Sequence, residues 1–105
     1  MEIKNILSNI PNKIPKEIIE TIICSPNIKI ERIISKGHVT PKGKWYDQDK
    51  NEFVLIIKGN AELSFEDNKL VKMKEGDHLI IPRHVKHKVE KTDLSTETVW
   101  LAVFF

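Results

Sequence analysis

A single cysteine, Cys24, excludes an internal disulfide and fits a reducing compartment. No histidine or acid is patterned around it, so it reads as a small buried hydrophobe rather than a nucleophile. Neither sign of charge dominates. Seventeen basic and fifteen acidic side chains leave a net charge of +2, and the lysines are interleaved with acids rather than gathered in a block. That gives no electrostatic ground for nucleic acid as a partner. No apolar run approaches the roughly 20 residues that span a bilayer, and Met1-Glu2-Ile3-Lys4-Asn5 does not open a signal peptide. Internal repeats and low-complexity segments are missing too. The expectation is a cytoplasmic protein away from membranes.

What is present fits one soluble domain. The 105 residues are 40% hydrophobic and 30% charged, enough for one core and too few for two. Residues 1–14 carry Ile3, Ile6, Leu7, Ile10 and Ile14 among polar residues, with Pro11 and Pro15 as breaks, and read as an arm lying on a surface. Pro15 suits the first position of a helix, and Ile14, Ile18, Ile19, Ile22 and Ile23 share one helical stripe. A short helix over Lys16–Ile23 is therefore expected, ended by Ser25-Pro26-Asn27. Residues 1–27 form arm and helix in this reading, and 28–105 form the main body.

From Ile28 the period becomes two. Ile28, Ile30, Arg32 and Ile34 alternate with Lys29, Glu31, Ile33 and Ser35. A short strand is expected at His38-Val39-Thr40 and a central one at Glu52–Ile57. Gly59-Asn60 suits a tight hairpin turn, and Asp67-Asn68 marks a second turn. Seven or eight short strands spaced by roughly 8–12 residues argue for an all-β sandwich, jelly roll or small barrel.

Two residues stand out for chemistry. In the stretch Gly76–Val89, Val85, His87 and Val89 share one face while Lys86, Lys88 and Glu90 take the other, so His87 points inwards. Such a histidine is either a satisfied core residue or part of a site. Glu52 opens an apolar strand in phase with Val54 and Ile56; it is either solvated at the strand's open end or set among apolar neighbours, where an isolated carboxylate is costly without a partner. A cation would offset that cost, and so would a histidine on a neighbouring strand. His78 alternates with Ile80 and is expected to face the interior. His38 reads as a loop residue, and Arg83 and His84 flank Pro82 on an exposed turn.

Glu52, six residues and Gly59, followed by Gly76, five residues, Pro82, four residues and His87, resemble the two boxes of the cupin superfamily. The family's first box reads Gly, five residues, His, one residue, His, three or four residues, Glu, six residues, Gly. Its second reads Gly, five residues, Pro, one residue, Gly, two residues, His. The resemblance covers about residues 28–104 and implies a cupin-type double-stranded β-helix, a jelly-roll barrel. It also implies that Glu52 and His87 are ligands of one divalent metal in the barrel mouth. The first-box histidines are missing: with four residues before Glu52 their places fall on Trp45 and Asp47, with three on Tyr46 and Gln48. His84 stands where the second-box glycine is expected. The phrase Trp-Tyr-Asp-Gln resembles a group of small bacterial single-domain cupins.

This reading gives a pocket walled by Trp45, Tyr46, Asp47 and Gln48, whose aromatic and polar mixture is usual for small-ligand sites. The implied metal set is Asp47, Gln48, Glu52 and His87, for Mn, Fe, Ni or Zn. Three functions fit it. The first is a metal-dependent small-molecule enzyme, with open positions for substrate or water. The second is a non-catalytic ligand-binding or sensing module. The third is a metal-free isomerase-type enzyme with His87 as base and Glu52 as its orienter. Bulky residues on both faces of the last strand, with the isoleucine-rich arm, lead us to expect a homodimer.

Overall fold

Isoleucine, valine and threonine dominate the segments that pair, and their branched side chains favour the pleated sheet. In the computed structural model, which describes all 105 residues, they form eight strands and no helix: β1 (Ile18–Ser25), β2 (Ile28–Ser35), β3 (Glu52–Lys58), β4 (Asn60–Phe65), β5 (Leu70–Lys74), β6 (His78–Ile81), β7 (His87–Thr92) and β8 (Thr98–Phe104). They lie in two sheets. The larger has the order β1-β2-β8-β3-β6 and the smaller β5-β4-β7. Every pairing is antiparallel. The sheets face one another as a jelly-roll barrel.

The expected helix over Lys16–Ile23 does not form. Its isoleucines are instead in β1, an edge strand paired with β2 from Ile18↔Ile34 to Ser25↔Ile28, with a bulge between Thr21 and Ile23. Spacings of three and four satisfied a helical stripe, but five branched side chains in six residues, Ile18, Ile19, Thr21, Ile22 and Ile23, are crowded at χ1 in a helix and at ease in a strand. Cys24 is correspondingly exposed rather than buried, because β1 has a neighbour on one side only.

Arg32, nearly buried on the outer face of β2, donates from Nη1 to the carbonyls of Ile6 (2.9 Å) and Ser8 (2.6 Å). Its Nη2 meets Glu20 Oε1 at 2.6 Å. These bonds tie the arm over the sheet's outer face, where Ile34 and Val99 are fully buried.

Between the sheets, Val54, Ile56, Ile81 and Trp100 from the large sheet meet Ala61, Leu63 and Met73 from the small one. This core fills one end of the barrel. Gly59 is not a hairpin turn, because β3 and β4 belong to different sheets. It is the corner between them, with φ +87°. A Cβ there would lie 2.8 Å from Thr98 Cα and 2.9 Å from the Glu97 carbonyl oxygen, so only glycine fits. His38-Val39-Thr40 is a loop rather than a strand, pinned by Thr40 N donating to the Val89 carbonyl at 3.0 Å and by Val89 N donating to Thr40 Oγ1 at 2.9 Å. Asp67-Asn68 turns as expected, with Asn68 at φ +63°.

Candidate functional site

β3 and β7 begin at the same end of the barrel, in opposite sheets, and their first residues are Glu52 and His87. The pleat turns Glu52 inwards with Val54 and Ile56, which the alternation alone left open, and both site residues are buried, at 8% and 5% exposure. His87 Nε2 stands 3.3 Å from Glu52 Oε1. The two face each other across the gap between sheets rather than side by side.

The other ring nitrogen fixes the electrostatics. Nδ1 lies 3.0 Å from the Val85 carbonyl, which can only accept, so Nδ1 carries the proton. In the neutral ring Nε2 is then a lone pair aimed at a carboxylate oxygen. That oxygen is buried with no aligned hydrogen-bond donor; the 3.3 Å approach is a charge contact rather than a formed hydrogen bond. Two electron-rich atoms in contact require a cation, and the simplest is a proton on Nε2. Burial works against the imidazolium, but the Glu52 carboxylate and the Val85 carbonyl outweigh it and raise the His87 pKa above its ordinary value.

Residues 45–48 add the next wall. Tyr46 forms an isolated antiparallel bridge with His87, its N donating to the His87 carbonyl at 2.8 Å and its own carbonyl accepting from His87 N at 3.1 Å. This extended pairing imposes a period of two. Tyr46 and Gln48 line the pocket, and Trp45 and Asp47 do not. The Tyr46 ring stacks on His87 with centroids 5.6 Å apart. Trp45 lies beneath the Lys88 ammonium, 4.5 Å from its ring centre, and outside the pocket lining where it was expected as a wall. Asp47, expected as wall and metal ligand, lies 2.9 Å from His84 Nδ1 on the surface and outside the pocket lining. His84 itself adopts φ +63°, the left-handed conformation that the missing second-box glycine supplies readily. The Asp47 contact and the bond from His84 N to the Gln48 carbonyl (2.8 Å) hold it there.

His78 also differs from expectation. It is exposed on the outer face, against the Phe53 ring, because Leu79 and Ile81 take the inner positions of β6. His38 stays in its loop, with Nδ1 accepting from Lys36 N at 2.8 Å.

Two carboxylates that sequence reasoning passed over line the same pocket: Glu17, just before β1, and Glu31 on β2. Ser35 Oγ donates to Glu17 Oε2 at 2.8 Å, and Trp100 Nε1 donates to Ser35 Oγ at 3.3 Å. Lys29 Nζ lies 3.4 Å from Glu31 Oε2. The period of two could have placed Glu31 with Ile33, but the more apolar face of β2 is the one turned to the arm. The cavity measures about 120 Å³, room for a small organic molecule. Burial, then the charges of Glu17 and Glu52, hold the Tyr46 hydroxyl protonated above its ordinary pKa, against a smaller opposing pull from Thr40. The phenol stays a donor, beside the Thr40 side chain, on a residue that lines the pocket.

A resident metal ion fits this donor set poorly. Catalytic transition-metal sites supply three protein ligands, whereas only Glu52 and His87 converge here, and no group of three histidines, cysteines or acids is arranged to hold an ion.

The geometry agrees with known proteins. Residues 33–104 match the model of the cupin domain. A structure from Ralstonia eutropha JMP134, named "putative mannose-6-phosphate isomerase", is 38% identical, superposes with a TM-score of 0.94, and covers 99% of this chain and 97% of its own. A cupin superfamily protein from Desulfitobacterium hafniense DCB-2 superposes with a TM-score of 0.76 at 15% identity, over 91% of this chain and 83% of its own. An RmlC-like cupin with a double-stranded β-helix fold from Methanocaldococcus jannaschii gives 0.71 at 20% identity, over 91% and 85%. Among curated protein sequences none matches. With the two-sheet barrel, the Glu52–His87 mouth and the family match over most of its length, the chain belongs to the cupin family.

Proposed function

We propose that the barrel mouth binds a small organic molecule and exchanges protons with it, an isomerase-type use of the His87–Glu52 pair without a resident metal. One observation carries this reading: Nδ1 is committed to the Val85 carbonyl, so the single exchangeable proton of the pair sits on Nε2, against Glu52 and facing the cavity. With the proton on, His87 is an acid held by a carboxylate. With it off, Nε2 is a base whose recharging Glu52 favours. Tyr46 donates to an oxygen of the ligand, and Gln48 offers both donor and acceptor. The relative named for an isomerase supports the reaction class at 38% identity.

The test is deuterium uptake next to the carbonyl group in a panel of small aldehydes and ketones incubated in D2O. We expect wild-type protein to catalyse uptake in one member, His87→Asn to abolish it, and Glu52→Gln to slow it by about 10²-fold or more. Ligand affinity by calorimetry with no uptake would instead assign the pocket to binding alone. A second reading, a divalent ion (Mn, Fe, Ni or Zn) shared by Glu52 and His87, is favoured by the unpartnered Oε1. Stoichiometric metal in untagged protein, lost in His87→Ala, would support it over the metal-free scheme.

A further inference from the structure

Resting on the reading of the barrel mouth as a ligand site, we propose that its ligand is a small organic cation, an ammonium group on an apolar body. Three carboxylates, Glu17, Glu31 and Glu52, line the cavity, and no lysine or arginine does. Their compensation is incomplete. Glu31 is met by Lys29 outside the cavity lining and Glu52 by His87, but Glu17 receives only the Ser35 hydroxyl and makes no ion pair.

The second observation is the Glu52 oxygen. Glu52 is buried at 8% exposure, and its Oε1 meets only the 3.3 Å charge contact from His87 Nε2, with no aligned hydrogen bond, so a donor arriving in the cavity finds acceptor capacity there. Leaving such a group unmet is costly, and meeting it with a charged donor is among the stronger polar contacts. The remaining walls suit the body of the same ligand. Tyr46 and Trp100 present aromatic surface to the cavity, while the Phe104 ring already has Lys29 Nζ 5.0 Å from its centre; aromatic faces beside carboxylates attract organic cations. The negative field is already felt by the Tyr46 phenol, which the Glu17 and Glu52 charges help to keep protonated.

An anion meets the opposite. Phosphate recognition rests on arginine, lysine or converging backbone donors; the cavity lining holds no arginine or lysine, and its His87 imidazolium is committed to Glu52. A sugar phosphate, the substrate type in the name of the 38% identical relative, is therefore disfavoured in this chain's cavity.

Matched six-carbon probes test the charge preference: cyclohexylamine, cyclohexanol and cyclohexanecarboxylate, with mannose 6-phosphate as the phosphorylated comparison, each titrated into the full chain by calorimetry. The amine is expected to bind about tenfold or more tightly than the alcohol, the size of one charge-assisted bond, with both anions weaker still. Glu17→Gln should reduce the amine's advantage about tenfold and leave the alcohol unchanged; should that variant fail to fold, Glu31→Gln takes its place. Equal affinity for amine and alcohol, tighter binding of either anion, or no binding of the amine overturns the proposal. Equal affinities that His87→Ala abolishes would sink the charge preference alone and leave the barrel mouth as the site. Probe binding that His87→Ala leaves untouched would sink the site reading as well.

Discussion

His87 meets opposite demands at its two nitrogens: a carbonyl acceptor at Nδ1 and a carboxylate at Nε2. Its raised pKa has a definite sign in stability. The unfolded chain titrates near the ordinary value of about 6.5, so the pair's contribution is fully present below that pH and is lost as pH rises through the higher folded value. The melting temperature of wild type, taken relative to Glu52→Gln, should fall as pH is raised from about 6.5 upwards. A difference that stays flat across that range would deny the coupling. Gly59 gives a second residue-scale prediction. Gly59→Ala forces a Cβ against backbone atoms of Glu97 and Thr98 at positive φ, and should cost about 2–4 kcal/mol by urea unfolding. Trp45, turned away from the cavity, should behave differently. Trp45→Ala is expected to leave ligand affinity unchanged and to cost under about 1 kcal/mol.

Among the elements, β1 and the arm depend on each other through Arg32. Removing residues 1–10 strips the Ile6 and Ser8 carbonyls from a guanidinium that remains nearly buried, and should destabilise the fold by about 1–3 kcal/mol. Arg32→Met in the shortened chain should recover part of that loss, whereas a purely additive loss would place the arm's contribution elsewhere. These elements also mark where the sequence was readable. Period two set the inward phase of His87 and put Glu52 in phase with Val54 and Ile56 without saying which face was inside, and box spacing paired the two. In β1 the isoleucine spacing satisfied helix and strand alike, and only the pairing with β2 decides between them. For residues 45–48 the polar composition suggested a loop; a single bridge to His87 makes it extended, which sends Tyr46 and Gln48 in and Trp45 and Asp47 out. Glu31 escaped notice because hydrophobicity ranks the other face of β2 as the buried one. Gly59-Asn60 carries a hairpin's residues, yet a corner between sheets uses the same backbone freedom.

For the molecule as a whole, the open edge at β1 is the feature most exposed to association. Ile19, Ile22 and Ile23 are each at least half exposed along an eight-residue strand with one unpaired side, and such edges favour pairing with another chain. We expect a homodimer formed across this edge, with twice the 12.2 kDa mass by light scattering at micromolar concentration. Ile22→Lys with Ile23→Lys should give a folded monomer; a wild-type mass of one chain would remove the expectation.

The strand order β1-β2-β8-β3-β6 has a consequence for how the protein comes into being. Thr98–Phe104, the eighth strand in chain order, form the middle strand of the larger sheet. Until they leave the ribosome, β1-β2 and β3-β6 are separate hairpin-like fragments with apolar flanks and no common partner. Closure of the larger sheet must therefore wait until β8 has emerged, as pairing between distant segments is slow and leaves strands unprotected in the interval. A nascent chain stalled before residue 98 should be cut readily by protease, and one extended by a linker long enough to clear Phe104 should resist.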